Sequence, residues 1–391
     1  MGTYLTDEQW MQQALNLAAQ GIGLASPNPY VGAVIVDEHG AIIGSGCHTY
    51  AFVKHAEILA IEQAGERARG ATLYINLEPC THHGRTGPCA DAVIAAGIRR
   101  VVASMPDPNP IVSGQGFAKL RAAGIEVEIG LLQDPARRLN EAFARYIRHR
   151  VPFVTLKSAM SLDGQIATAP SQTSTAHRSP DEWITGAAAR AHVHQLRHQH
   201  DAILTGIGTV LADNPLLTDR SGLPRRRPLQ RVVLDSRLRL PSDSRLVESV
   251  SKRGSDVIVF CASSGDSRPR LSDSPKSIED HGICVEQVPM SRDNAGLDLP
   301  AVLRRLAELE ITSVLVEAGS RVNSAVLADG LADKLFLYYA PIFLRTSSSV
   351  PFASLTDSLD TGVPLRLQQT TVRQFADDFA IEGYLRDPYA D

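Results

Sequence analysis

The chain is most tightly constrained by three candidate metal ligands: His55 in His55-Ala56-Glu57, Cys80 in Pro79-Cys80, and Cys89. One imidazole and two thiols can hold a divalent zinc ion and leave a fourth position open, the arrangement of a catalytic rather than a structural site. To converge, such ligands must sit where strands give way to loops and helices. Cys80 follows the apolar run from Ala71 to Leu77, which reads as a strand, and Pro88 is suited to open the helix that Cys89 joins. His55 and Glu57 fall at another helix start. At a helix start, free backbone N–H groups and the macrodipole favour a thiolate. The constraint is therefore on fold as well as chemistry: strands and short helices in layers.

The rest of the first half agrees. Thr6 and Gln9 form a capping box for a helix running to about Gln20, a reading preferred over an acylation pattern at Met1-Gly2. Val31 to Val36 and Ala41 to Gly46 read as strands around a turn, His55 to Ala64 as a helix. Gly97 stops the next helix. Strand, helix and strand follow at Arg100 to Ser104, Gly116 to Ala123 and Ile125 to Ile129. An Arg-rich amphipathic stretch from Asn140 ends at Val151-Pro152, and the domains are expected to be 1–147 and 148–391. At 391 residues, two or three domains are expected at ~150 residues each.

The second half alternates again. Strands are expected at Phe153 to Lys157, Ala202 to Thr205, Arg231 to Leu234, Asp256 to Cys261, Ile283 to Val288, Ser313 to Val316 and Lys334 to Tyr339. Helices are expected at Pro180 to His198, Pro300 to Glu310 and Val322 to Ala328. His192, His194, His198 and His200 spread around a helix, so they are read as a solvated surface and not a second metal site.

The net charge of −4 argues against a nucleic-acid partner. No apolar run reaches the roughly 18 residues of a membrane span, and the N-terminus lacks a signal-peptide pattern. Five cysteines, two of them in a metal-like setting, read as a reducing, cytoplasmic protein. Cys261 reads as a small core hydrophobe, and Cys47 has no assigned role.

His-x-Glu followed by Pro-Cys and a later Cys is the signature of zinc deaminases acting on nucleobases, with the Glu moving protons to and from the attacking water. A structural zinc knuckle closed by His82 or His83 is the alternative, but it gives Glu57 no task. The insertion from Thr81 to Pro88 is suited to reach an anionic group.

Further motifs follow in order: Ser26-Pro27-Asn28-Pro29, Val31-Gly32-Ala33-Val34, Asp107-Pro108-Asn109-Pro110, Ser161-Leu162-Asp163-Gly164, Trp183-Ile184-Thr185-Gly186, Gly208 to Pro215, and Val316-Glu317-Ala318-Gly319. With these the chain resembles, over nearly its whole length, the bifunctional deaminase/reductase of riboflavin biosynthesis. The resemblance implies a cytidine-deaminase-like α/β/α layered domain, then a dihydrofolate-reductase-like α/β domain. It implies zinc-dependent hydrolytic deamination of 2,5-diamino-6-ribosylamino-4(3H)-pyrimidinone 5′-phosphate. NADPH-dependent reduction of the ribosyl group to ribityl would follow. It further implies a homo-oligomer, dimer or tetramer.

By the same resemblance Asn28, His48 and Arg85 contact the deaminase substrate. Lys157, Met160, Trp183, Thr209, Asp213, Ser236 and the run Gly319, Ser320, Arg321, Val322, Asn323, Ser324, Ala325 lie near the nicotinamide cofactor. Asp181, Arg197, Leu217, Arg220 and Glu317 fall at positions for the sugar phosphate. The chain departs from the family at Phe52 and Lys54, where Gly and Pro are usual, at Asp181, which replaces a serine, at Gly87, and near Arg345 to Ser349, which lacks glycines. Two rival readings remain: a deaminase whose second half only binds ligand or partner, and a zinc-stabilised nucleic-acid-binding module.

Overall fold

The computed structural model describes residues 5–82, 87–168, 183–250, 256–263, 278–344, 349–354 and 364–390. The chain divides into two compact units. One runs to Arg150 and takes in Pro224–Arg227; the other holds Val151–Leu223 and Pro228–Ala390.

In the first unit, α1 (Asp7–Ala19) is opened by the expected capping box: Thr6 Oγ1 accepts from the Gln9 amide and Gln9 Oε1 from the Thr6 amide. There follow β1 (Gly32–Val36), β2 (Ile42–Cys47), α2 (Ala56–Ala64), β3 (Thr72–Ile75), α3 (Cys89–Ala95), β4 (Arg100–Ala103), α4 (Gln115–Ala122), β5 (Glu126–Ile129), α5 (Gln133–Leu139) and α6 (Glu141–His149). The sheet order is β2-β1-β3-β4-β5, antiparallel at β2-β1-β3 and parallel from β3 onward. β1 is buried at every position, as a strand covered on both faces must be.

Depth in this unit is set by glycine. A Cβ on Gly46 would lie 2.1 Å from the Ala56 carbonyl, and one on Gly44 2.1 Å from that of Ala60. Bare backbone on β2 thus lets α2 press onto the strand. That contact carries His55, the α2 N-cap, and Glu57 into the interior.

The second unit adds β6 (Phe153–Ser161), β7 (Gln165–Thr168), α7 (Ala187–Gln199), β8 (Ala202–Gly206), α8 (Ile207–Asp213), β9 (Gln230–Leu234), α9 (Arg245–Glu248), β10 (Val257–Ala262), β11 (Cys284–Val288), α10 (Leu299–Glu308), β12 (Ser313–Val316), α11 (Ser320–Ala328), β13 (Lys334–Ala340), β14 (Ser349–Pro351), β15 (Gln368–Phe375) and β16 (Asp378–Tyr384). Nine strands form one sheet, β11-β10-β9-β8-β12-β6-β13-β16-β15, with β7 and β14 a separate pair. It is parallel from β11 to β13 and antiparallel over β13-β16-β15.

Alternate strand residues feed opposite cores. Leu204, Val232 and Phe260 pack with Val302, Leu306 and Val326 of α10 and α11, while Ile203, Val233 and Val259 pack with Val210 and Leu246 on the other face. Ala189, Val193 and Leu196 of α7 join Leu315, Phe336 and Tyr338. Cys261 is buried, as expected.

Three expectations change. The helix expected from Pro180 begins at Ala187, with Gly186 as N-cap; Pro180 lies outside the described residues. The histidines are not a solvated face. His198 and His200 are buried, and His192, His198 and His200 bond to Tyr338, Asp219 and Thr155 respectively. Lateral packing of α7 against the sheet and the 214–220 loop, invisible in helical spacing, buries them. Finally, β15 and β16 supply an antiparallel edge that the sequence reading did not contain.

Candidate active sites

Among the described residues, His55, Cys80 and Cys89 form the group suited to a metal, with ligand atoms all within 4.8 Å of one another. His55 Nδ1 lies 3.1 Å from Cys89 Sγ and 3.6 Å from Cys80 Sγ. The first turn of α3 steadies Cys80, whose Sγ accepts from the Cys89 amide at 3.4 Å and whose carbonyl accepts from Ala90 at 3.1 Å. Hydrogen bonding to Cys89 and His55 pulls the Cys80 thiol down, favouring a thiolate. Cys89, buried against that sulfur and near Glu57, is pushed up. Bonding to Cys80 raises His55. The donor set suits zinc. His82 is exposed and outside the group, and His83 lies outside the described residues.

Glu57 is 3% exposed, and its Oε2 is buried without a hydrogen-bond partner among the described residues. Burial pushes its carboxyl up to about 7. A buried carboxylate oxygen with no partner beside three ligands is poised for a group the chain does not itself supply.

His48 is buried and lies edge-on to His55, with ring centroids 5.2 Å apart. Its Nδ1 is 3.1 Å from the Lys54 carbonyl and its Nε2 3.0 Å from Asn28 Nδ2. A carbonyl only accepts, so Nδ1 carries the proton and the neutral ring accepts from Asn28 at Nε2. The Asn28 amide is thereby turned. The carbonyl is a main-chain atom that any residue at 54 would offer; the Lys54 ammonium pairs with Glu62 at 2.7 Å, and Phe52 is 67% exposed. Arg85 lies outside the described residues. Asp107 is half-buried; burial, with the nearby charges of Glu78 and Cys80, pushes its carboxyl up to about 6.

The second site lies where strand order reverses: β12 inserts between β8 and β6 after the chain has laid down β9, β10 and β11. Crevices outside the carboxyl ends of strands at such points are the usual ligand sites of α/β sheets. Glu317 directly follows β12; its Oε1 accepts from Arg197 Nε at 2.8 Å and its Oε2 from Arg197 Nη2 at 3.0 Å and Lys157 Nζ at 3.4 Å. Burial alone would raise the Glu317 carboxyl, but the charges of Arg197 and Lys157 outweigh it and hold it near about 2. Arg197 also donates to the Thr218 carbonyl at 3.0 Å, and His198 reaches Asp219 at 3.1 Å. These bonds anchor the segment carrying Leu217, which is buried with φ +54°, and Arg220, which is exposed.

The remaining residues expected near the cofactor are placed as follows. Thr209 Oγ1 is 4.0 Å from where a Cβ on Gly319 would stand, so α8 and the α11 N-cap adjoin. Asn323 is buried and donates to the Phe352 carbonyl at 2.9 Å, and the Ser324 hydroxyl accepts from the Ser354 amide at 2.9 Å. Ser320 faces Ser354, and Arg321 donates to the Ala295 carbonyl. Val322 packs near Gly206 and Ala325 against the α10–α11 core. Met160 is buried in β6; Ser236 is half-buried after β9; Asp213 is exposed. Trp183 is 55% exposed with the Arg190 guanidinium 5.6 Å from its ring. Asp181 lies outside the described residues.

Two polar groups escaped the sequence reading. Tyr338, fully buried, bonds His192 at 2.6 Å and carries Lys157 Nζ 5.7 Å from its ring centroid. Glu78, beside the Pro79-Cys80 motif, is a buried carboxylate whose only sequence signal was its position before that proline.

Comparison with known proteins covers both halves of the chain. The family model for the cytidine and deoxycytidylate deaminase zinc-binding region matches residues 5–105, and that for the RibD C-terminal domain matches 152–381. The chain is 37% identical to the riboflavin biosynthesis protein RibD of Aquifex aeolicus, over 96% of this chain and 97% of that one. It is 41% identical to RibD of Escherichia coli over 88% and 90%. Among solved structures, Acinetobacter baumannii RibD superposes with a TM-score of 0.79 at 38% identity, covering 97% of this chain and 98% of that one. The Thermotoga maritima diaminohydroxyphosphoribosylaminopyrimidine deaminase/5-amino-6-(5-phosphoribosylamino)uracil reductase does so with 0.77 at 38%, covering 97% and 98%. With a zinc-binding deaminase half and a reductase half, in that order, this chain belongs to the bifunctional RibD deaminase/reductase family of riboflavin biosynthesis.

Proposed function

We propose that residues 1–147 deaminate a diaminopyrimidinone ribosyl phosphate through His55, Cys80, Cys89 and Glu57, and that residues 148–391 reduce the ribosyl chain with NADPH at the Lys157–Arg197–Glu317 cluster. The observation that carries the reading is the buried, unpartnered Oε2 of Glu57 beside three converging ligands. Zinc, when bound there, supplies Lewis-acid activation of water. Glu57 is the residue for moving a proton from water to the ring nitrogen and then to the departing amine, and its poise near neutrality suits both directions. Asn28, its amide turned by His48, orients the ring edge, and Arg85 takes the phosphate.

In the reductase half Lys157, Met160, Trp183, Thr209, Asp213, Ser236 and the 319–325 segment take the nicotinamide cofactor. Arg197, Arg220 and the backbone at Leu217 take the sugar phosphate. Glu317 accepts rather than donates, so its part is to hold the two cations in place and to meet hydroxyls, not phosphate. We also assign the chain to the cytoplasm as a homo-oligomer with no nucleic-acid partner. No described helix is long and apolar enough to cross a membrane.

The test supplies the diaminopyrimidinone ribosyl phosphate and NADPH to the full chain and follows ammonia release and cofactor oxidation together. Ammonia without cofactor oxidation, even when the deaminated product is supplied, leaves the second half as a binding domain only. Light scattering checks the oligomer, and retention on an oligonucleotide column at low salt would contradict the absence of a nucleic-acid partner.

A further inference from the structure

Glu78 is 4% exposed and takes no part in the chemistry described above. Its carboxylate accepts four backbone N–H groups. Oε2 takes Asp107 at 3.0 Å and Gly114 at 2.8 Å; Oε1 takes Gly116 at 2.7 Å and Phe117 at 3.3 Å. Four is about the full capacity of a carboxylate. Three of those donors belong to the start of α4, where no local side chain caps the helix and Gly114, the N-cap, sits at φ +83°. The cap is delivered instead from the strand end that carries Cys80.

The opposite wall is equally close. A Cβ on Gly116 would lie 2.1 Å from the Pro79 carbonyl and 3.0 Å from Glu78 Cγ, so α4 rests directly on the peptide preceding Cys80. Pro79 has no N–H with which to anchor that peptide itself. Cys80 is therefore held from two sides, by the amides of Cys89 and Ala90 at the α3 start and by the Glu78 clasp behind it.

We propose that Glu78 is a positioning residue of the deaminase: by clasping the 107–117 segment onto Pro79, its carboxylate sets the direction in which Cys80 presents Sγ to the metal. This rests on the reading of Cys80 as a zinc ligand. An apolar residue of the same size would leave four N–H groups without this acceptor, those of Gly116 and Phe117 in buried surroundings. A glutamine would turn an NH₂ against two of them.

Full-length Glu78→Gln and Gly116→Ala variants, loaded with zinc or with cobalt(II), test it. Three signals are read: zinc release to a chromogenic chelator, the sulfur-to-cobalt charge-transfer band, and near-ultraviolet circular dichroism as a check on folding. Both folded variants are expected to release zinc roughly 10- to 100-fold faster, the usual cost of losing outer-shell support, and to shift the cobalt band. NADPH oxidation with deaminated substrate stays unchanged. Folded variants with parental release rate and cobalt spectrum overturn the proposal. So does a first unit that fails to fold in both variants, since Glu78 is then a helix cap alone. If the parent chain itself binds no zinc, the zinc reading fails first, and the two failures are distinguishable.

Discussion

Replacing Glu317 by Gln removes the carboxylate held between Arg197 and Lys157. All three side chains are only 12% exposed, so solvent screens them poorly. The carboxyl sits near about 2 instead of the ordinary 4.5. That difference is worth roughly 3 kcal/mol of folding stability. The folded-state pKa is the lower one, so this contribution is fully present above the unfolded value and is lost as pH falls toward the folded value. The stability gap between parent and Glu317→Gln is therefore roughly 3 kcal/mol at about pH 7 and shrinks to roughly 1 kcal/mol at about pH 3, beyond any pH-independent offset from the amide. Urea unfolding of both chains across that range, followed by amide hydrogen exchange in β6 and β12, measures it. A gap that does not change with pH refutes the reasoning, because the three charges would then not be coupled in the fold.

The Glu57→Gln variant is expected to retain one zinc per chain by elemental analysis yet lose ammonia release by about 10² to 10⁴-fold, the usual contribution of a proton-transfer group. A chelator that removes zinc should abolish ammonia release while NADPH oxidation on pre-deaminated substrate continues, measured at the cofactor's absorbance. Arg231 is 1% exposed and makes both Asp256 contacts at 3.0 Å, so Arg231→Ala strips a buried carboxylate of its two-pronged guanidinium partner and should cost about 3–5 kcal/mol in chemical denaturation. His48→Ala frees the Asn28 amide to rotate, and is expected to raise KM for the deaminase substrate more than it lowers kcat in steady-state kinetics.

Local pattern carried much of the architecture. The Thr6 capping box and the β-branched runs that became β1, β8, β9 and β10 are short-range signals, and the structure uses them where they occur. β15 was missed because it alternates weakly and is exposed at nearly every position, as an edge strand can be. α8 was not expected, being only seven residues long with a glycine in its first turn and the Asn214-Pro215 turn at its end. The histidines of α7 were misread because periodicity describes one helix and not what packs on it.

The sequence by itself determined the ligand trio, the glutamate two residues beyond His55, the order of the two halves and most strand and helix positions. Each of these depends on residue type and close spacing. Only the tertiary structure decided that Glu57 loses its water and sits near neutrality, that Asn28 is turned by His48, that Glu78 clasps a segment some thirty residues downstream, and that Glu317 meets Arg197 and Lys157 from 120 and 160 residues away. Desolvation and long-range hydrogen bonds are properties of the packed chain, and no local pattern encodes them.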